Sequence, residues 1–260
     1  MKTILICHED DALNRIALPR WVASFSELCG IISLRETPQR KMKRVLREIE
    51  RVGYLRFIDV LAFRLYYKLR LARTDKEWEQ QKLRTLCAQY PPVADTTPVL
   101  ATSTPNNSES EAFVRAQQPD IILARCKTIL AERIFSLARI GTFVMHPGIC
   151  PDYRNSHGCF WALASGDVTN VGMTLLKVDR GIDTGPVYAY FRAPYDEPSE
   201  SHIVVQHRTV FDNLPTIRLA LESIASGKSA PIDTRGRPSR AWGQPWLSKY
   251  IAWKLHERRR

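Results

Sequence analysis

Short apolar runs that do not alternate with polar residues set the tightest limit on how this chain folds. Residues 2–8 read KTILICH, 29–34 CGIISL, 120–124 DIILA and 141–146 GTFVMH, with a shorter strand-like run at 98–102. A strand with one face in water alternates apolar and polar side chains, whereas one covered on both faces is apolar throughout. Helix-like segments separate the runs at about 12–28, 106–117 and 129–137. This β-α-β alternation predicts a doubly wound α/β domain. Downstream, 159–164 opens a helix that Gly166-Asp167 ends, and 171–178 and 186–191 read as strands. A helix is expected over roughly 199–226, followed by an irregular basic tail from Pro231.

A basic insertion at about 37–90 interrupts the pattern. Thr37-Pro38 starts a helix, and Gly53 divides it in two. Val45, Ile49 and Val52 form one apolar stripe; Ile58, Leu61, Leu65 and Leu69 form another. Phe57, Phe63, Tyr66 and Tyr67 make the second helix unusually aromatic. Packing on the core or on the second copy of a homodimer, a lid over the site and peripheral contact with a membrane surface all suit such a helix.

Charge is the other marked feature. The net charge is +11, with twelve Lys/Arg against four acids between Arg35 and Arg73 and eight against one from Arg235 onward. Such a balance favours anionic partners without choosing among them. No apolar run approaches the roughly 18 residues a spanning helix needs, and the N-terminal run is too short for a signal peptide. Six cysteines without a C-x-x-C pair or zinc-ligand spacing read as free thiols in a reducing cytoplasm, with no metal site.

The chemistry concentrates in VMHPGICPDYRNSHG, residues 144–158. His146 ends a buried strand, and strand carboxyl ends face the ligand crevice of an open α/β sheet. Histidine is the commonest proton carrier near neutral pH. Asp183 lies in GIDTGPV, where Gly181 and Gly185 allow a tight loop and close backbone approach. Asp179 is the other candidate acid, expected to cap that loop, with Thr184 shaping it. His202 and His207 are five apart, not at metal-ligand spacing, and read as structural. Trp242 and Trp246 are expected to fold the tail back on the domain.

HPGICPDYRNSHG, WALASGD, VGMTLL and DRGIDTGPV, in that order, resemble the catalytic core of the formyltransferase family. That family includes glycinamide ribonucleotide, methionyl-tRNA and sugar N-formyltransferases. The match is good over about 119–191 and loose over the N-terminal β-α-β unit. The resemblance implies a Rossmann-like, mostly parallel sheet that binds 10-formyltetrahydrofolate beside an amine substrate, with a catalytic domain over 1–191 and a helical, basic extension over 192–260. It places the catalytic histidine on His146, the catalytic aspartate on Asp183, and on His157 a second histidine, expected on the Asp183 side. Tyr153-Arg154, beside the crevice, either holds a substrate phosphate or carboxylate or packs as a surface pair; Gly148 and Gly185 belong to the same motifs.

One position departs from the pattern. The family's Asn-x-His has Val144 in place of the amide that holds the formyl oxygen as it gains charge. Losing such a donor costs on the order of 10²–10³ in rate. Asn155, Lys127 or a backbone N–H replaces it, the reaction is a related folate-dependent one such as a hydrolysis, or the protein is a non-catalytic module that holds RNA or a membrane with its basic helices. The implied chemistry needs the oxyanion stabilised and a proton carried from the attacking amine to the leaving nitrogen. A histidine paired with a carboxylate does this without a metal or a covalent nucleophile. Only about 70 residues follow Phe191, so an initiator tRNA is not the expected substrate. A small amine, first a nucleotide-linked amino sugar and second an amino acid or hydroxylamine, is expected.

Overall fold

The computed structural model describes residues 1–257; the terminal arginines, part of the basic tail read above, lie outside the described residues. The chain opens with strand β1 (Lys2–His8) and, after a helical turn at Leu13–Ala17, the short helix α1 (Leu18–Ala23). The expected helix over 12–28 therefore ends five residues early. The hydroxyls of Ser24 and Ser26 bond back to the carbonyls of Trp21 and Val22 at 2.6 and 2.9 Å, competing with the helix backbone as such side chains do. Strand β2 (Glu27–Leu34) follows.

The insertion is a long helix, α2 (Pro38–Arg70), and a second, α3 (Ala72–Gln89). Thr37 caps α2 through Arg40 N, Pro38 takes the first turn, and Gly53, at φ 79° and ψ 163°, breaks the helix where the sequence placed the division. The remaining elements are β3 (Val99–Thr102), α4 (Ser108–Gln117), β4 (Ile121–Arg125), α5 (Glu132–Phe135), β5 (Gly141–His146), β6 (Arg154–Asn155), α6 (Gly158–Ala164), β7 (Met173–Lys177), β8 (Val187–Phe191), α7 (His202–Phe211), α8 (Leu214–Ala225), β9 (Ala241–Trp242) and α9 (Leu247–Glu257).

Three further expectations need correction. The helix read at 129–137 shrinks to the single turn of α5, because Ala131 is still extended. The helix read at 199–226 is two: the Asn213 amide bonds the carbonyls of Arg192 and Thr209, both at 3.0 Å, and Pro215 restarts the helix. The tail is irregular only as far as Arg240. It pairs β9 with β6 and ends in α9, whose Ser248 N–H donates to Asp59 on α2 at 3.0 Å.

The described residues build a seven-stranded sheet in the order β3-β2-β1-β4-β5-β7-β8. Pairs from β3 to β5 are parallel; β5–β7 and β7–β8 are antiparallel. The sheet is therefore mostly parallel and Rossmann-like. Successive side chains explain the apolar runs: Leu5 and Cys7 enter one core with Trp21, Leu123 and Phe143, while Ile4 and Ile6 enter the opposite core with Ile32, Val114 and Ile122. Helices α7 and α8 contribute Val210, Phe211, Leu214 and Leu221 to the first core, so the extension beyond Phe191 packs on the same sheet. Strand order reverses between β1 and β4, which opens the crevice at His8 and Arg125.

The insertion docks through a face the stripe reading did not select. Phe57, Val60 and Phe63 are buried, while Ile58, Leu61, Leu65 and Leu69 point to solvent. Phe63 meets Phe160, His202 and Tyr250 with ring centroids 5.9, 5.4 and 5.3 Å apart. Burying such a phenyl ring stabilises by roughly 1.5–3 kcal/mol, enough to decide which way α2 rolls.

Candidate functional site

His146 is the last residue of β5, 5% exposed. Its Nε2 lies 2.8 Å from the carbonyl oxygen of Tyr153 and its Nδ1 3.4 Å from Oδ2 of Asp183. A carbonyl only accepts, so Nε2 carries the hydrogen of that bond. The Nδ1 lone pair then faces the Asp183 carboxylate. Strand end, loop turn and acid thus meet in one couple, of the residue types that acid–base chemistry uses.

The loops holding this couple depart from ordinary backbone geometry. Asp183, Asn155 and His157 have φ of 51°, 75° and 55°, in the left-handed region that costs most residues energy. Such outliers cluster where a structure positions side chains for use. Asp183 Oδ2 accepts the N–H of Asn155 at 2.8 Å. Asp179 accepts from Gly181 N and Thr184 Oγ1 at 3.0 and 2.8 Å and caps the loop as expected. A Cβ on Gly185 would sit 1.9 Å from the Lys177 carbonyl oxygen, which is the close approach its sequence position suggested. A Cβ on Gly148 would come 2.4 Å from the Tyr153 carbonyl oxygen and 2.7 Å from His146 Nε2.

Other expected site residues are engaged elsewhere. The Asn155 side-chain amide donates to the Trp242 carbonyl, so it is not free to replace the missing amide. Arg154 donates to Ser239 Oγ at 3.0 Å and to the Ile182 carbonyl at 2.8 Å, tying the tail to the Asp183 loop and taking up donors expected for a substrate anion. Tyr153 donates its hydroxyl to Asp167 at 2.9 Å and stacks on Trp242 with centroids 5.7 Å apart. Trp242 also stacks on Trp161 at 4.7 Å and Trp246 meets the same ring at 5.3 Å, so the tail folds back through its tryptophans. Lys127 Nζ lies 3.6 Å from Asp10 across the switch point, and its N–H reaches His8 Nε2 at 3.1 Å.

His157 packs against His202 rather than pairing with Asp183. Its ring lies 5.5 Å from that of His202, and among the described residues no ion pair joins it to Asp183. Burial, with the charges of Lys127 and Arg64 adding to it, brings its pKa down to about 4, so it is neutral at physiological pH. His202 is lowered further by burial and by His157. Both line a cavity of about 210 Å³ with Val60, Phe63, Tyr67 and Gln244. His202, read as structural from its spacing, is thus a cavity wall.

Two features were not found in the sequence. Arg125 ends β4 at the switch point, and its Nη1 donates to the carbonyl of Met145, the residue before His146, at 3.1 Å. Its Nε is buried without a partner among the described residues, and burial lowers its pKa. An arginine closing the apolar run DIILA was the available signal. Val144 packs with Cys150, Leu176 and Val187, so the wall beside His146 is apolar where the family pattern has an amide. A second cavity, of about 300 Å³, opens beyond β1 and is lined by Asp10, Tyr67, Asp75, Lys76, Glu79 and His207. Burial raises the pKa of Asp75 and of Glu79 there. No group of three His, Cys, Asp or Glu residues able to hold a metal occurs among the described residues.

Comparison with known proteins bears on this geometry. The family model "Formyl transferase" matches residues 73–213. Methionyl-tRNA formyltransferase of Chlorobium limicola is 28% identical over 137 residues, which are 53% of this chain and 38% of that protein. That of Sorangium cellulosum is 35% identical over 98 residues, 37% of this chain and 31% of that one. The chain thus spans about a third of the length of the curated relatives it matches. A sugar N-formyltransferase from a Shewanella species superposes with a TM-score of 0.56 at 11% identity, covering 97% of this chain and 86% of that one. A phosphoribosylglycinamide formyltransferase from Anaplasma phagocytophilum gives 0.57 at 14%, covering 93% and 97%. At these identities the structural likeness concerns the fold.

Proposed function

The chain belongs to the formyl transferase family, and on that premise we propose that it moves a formyl group from 10-formyltetrahydrofolate to the amine of a small, nucleotide-linked substrate such as an amino sugar. The observation that carries this reading is the His146–Asp183 couple, 3.4 Å apart at the carboxyl end of β5. The donor, when bound, supplies an activated formyl carbon and a nitrogen leaving group. The residues present fit such a donor. Arg125 Nε and His157 Nδ1 are buried polar atoms without partners among the described residues, and the cavity beside His157 has the aromatic walls of Phe63 and Tyr67, suited to a flat heteroaromatic ring.

Within that reading His146 takes, at Nδ1, the nitrogen not bonded to Tyr153, the proton released at the amine nitrogen and returns it to the leaving nitrogen of the donor. Asp183 stabilises the imidazolium in between, and the Tyr153 carbonyl keeps the ring from turning away. Arg125 shares its sheet face with Leu123 and Met145, not with Val144 and His146, so its guanidinium holds the backbone ahead of His146 through the Met145 carbonyl. Of the replacements expected for the amide, Asn155 is engaged, which leaves a backbone N–H or the exposed Lys127 to meet the developing negative charge.

The net charge of +11 suits a nucleotide-linked substrate, and sugar N-formyltransferases are among the proteins that share the fold. A second reading, an amino acid or other unphosphorylated amine, draws on the cavity beyond β1, where Asp10, Asp75 and Glu79 suit an ammonium group better than a phosphate. The test is to incubate the protein with 10-formyltetrahydrofolate and a panel of nucleotide-linked amino sugars, glycinamide ribonucleotide, amino acids and hydroxylamines. Products are followed by mass spectrometry. A formylated nucleotide sugar that is lost in His146→Ala is expected. No product from any amine despite folate binding, or full activity in His146→Ala, would sink the reading.

A further inference from the structure

Helix α2 carries apolar side chains on two opposite faces. One is the docking face of Phe57, Val60 and Phe63. On the other, Tyr54, Ile58, Leu61, Leu65 and Leu69 recur at steps of three and four residues, with Leu55 beside them. They are 79%, 62%, 46%, 59%, 70% and 86% exposed in turn. That spacing makes one continuous stripe down the outer side of the helix. Scattered exposed apolar residues are ordinary, but a contiguous stripe on a single element marks a surface that meets something.

The charge around the stripe says what it meets. Between Pro38 and Arg70 there are ten Lys/Arg and three acids. Of the three, Glu48 is buried against Arg51, Asp59 faces Ser248 of α9, and Glu50 is exposed ahead of the Gly53 break. Arg64 and Lys68 fall along one edge of the stripe. Across the Gly53 break the basic character continues with Lys41 and Lys43 around the exposed Met42 and Leu46. A second copy of the chain laid on this stripe would face basic edges with basic edges, with Glu50 the one exposed carboxylate of α2 to set against its ten Lys/Arg. A nucleic acid would satisfy the charge and leave the leucines in water. An anionic lipid surface satisfies both, with acyl chains taking the stripe and headgroups the arginines and lysines.

We propose that the outer face of α2, from Tyr54 to Leu69, docks on anionic lipid bilayers. The helix lies in the interfacial plane: no helix among the described residues is long and apolar enough to cross a membrane. Because the opposite face of the same helix lines the cavity beside His157 and His202 through Val60 and Phe63, docking would set the crevice close to the lipid surface. The proposal does not depend on formyl transfer and is tested without folate.

The experiment is co-sedimentation of the full chain with vesicles of phosphatidylcholine containing about a third phosphatidylglycerol, against phosphatidylcholine alone. Expected is binding to the anionic vesicles that weakens with salt and is at least tenfold weaker to the neutral ones. Ile58→Glu with Leu65→Glu should abolish it, and Lys41→Gln, Lys43→Gln and Lys68→Gln together should reduce it severalfold. All these positions are exposed, and circular dichroism and melting of each variant verify that it folds. Failure to bind anionic vesicles overturns the proposal, as does undiminished binding by folded Ile58→Glu/Leu65→Glu. So does a dimer, seen by analytical ultracentrifugation, that this pair dissociates while vesicles stay unbound. Salt-sensitive binding to RNA without vesicle binding overturns it as well.

Discussion

The carboxylate of Asp183 stands 3.4 Å from Nδ1 of His146, and a left-handed backbone with φ 51° turns it there. Asn155, itself left-handed at φ 75°, donates its N–H to the same carboxylate oxygen and so helps to aim it. The couple is as good as the loops that hold it.

Arg125→Met keeps the length and loses every donor of the side chain. If the guanidinium holds the backbone that carries His146, kcat falls by up to about 10²-fold with a smaller change in KM, the cost of a displaced catalytic group. Arg125→Lys should recover part of it. Steady-state kinetics with the substrate found in the amine panel reads the split; a rise in KM alone would assign Arg125 to ground-state binding.

Gly148→Ala puts a methyl group 2.4 Å from the Tyr153 carbonyl oxygen and 2.7 Å from His146 Nε2. Both are fixed points of the site, so the imidazole must shift. A loss of roughly 1–3 kcal/mol in stability is expected, as for overpacked interiors, together with a large fall in kcat. Thermal melting and kinetics on the same preparation check it.

Acid should unfold this protein early. Burial keeps His157 and His207 neutral, each down to about 4, and His202 lowered well below the ordinary 6.5. The unfolded chain takes up protons below about 6.5 that the folded chain refuses, so stability is full above that pH and is lost as pH falls from 6.5 toward 4. At the lower end His157 and His207 each cost about 3 kcal/mol. His202→Leu, whose side chain suits the contacts with Phe63 and Phe160, should flatten the melting-temperature profile between pH 6.5 and 4. An unchanged slope would mean His202 is not among the groups responsible.

Trp242→Ala removes the ring stacked between Tyr153 and Trp161 and loosens the backbone whose carbonyl receives the Asn155 amide. A destabilisation of about 3 kcal/mol is expected for so large a truncation. Activity should fall further than stability explains, because Asn155 aims Asp183. Activity measured well below the melting temperature separates the two effects; normal kcat there would show the tail to be a clamp on stability alone.

Much of this was legible along the chain. The centres of β1, β4 and β5, which read ILIC, IILA and FVM, are apolar at every step because a parallel sheet covered on both faces gives each successive side chain an apolar neighbour. The glycines and turn formers around His146 and Asp183 marked the loops that meet. Thr37, Pro38 and Gly53 set the start and the break of α2 through backbone chemistry that needs no partner. These are local constraints, and a sequence records them directly.

What the chain could not say was which of two apolar faces of α2 turns inward, since helical periodicity is satisfied by Ile58, Leu61 and Leu65 as well as by Phe57, Val60 and Phe63. Only the ring of Phe160, the tail helix and His202 decide it. Nor could it show that Asn155 and Arg154 are engaged by Trp242, Ser239 and Ile182, or that Arg125 is left with an unused donor after bonding the Met145 carbonyl. Hydrogen-bond partners distant in sequence are chosen by the packing of the whole, because a buried donor bonds whatever acceptor the fold brings within reach.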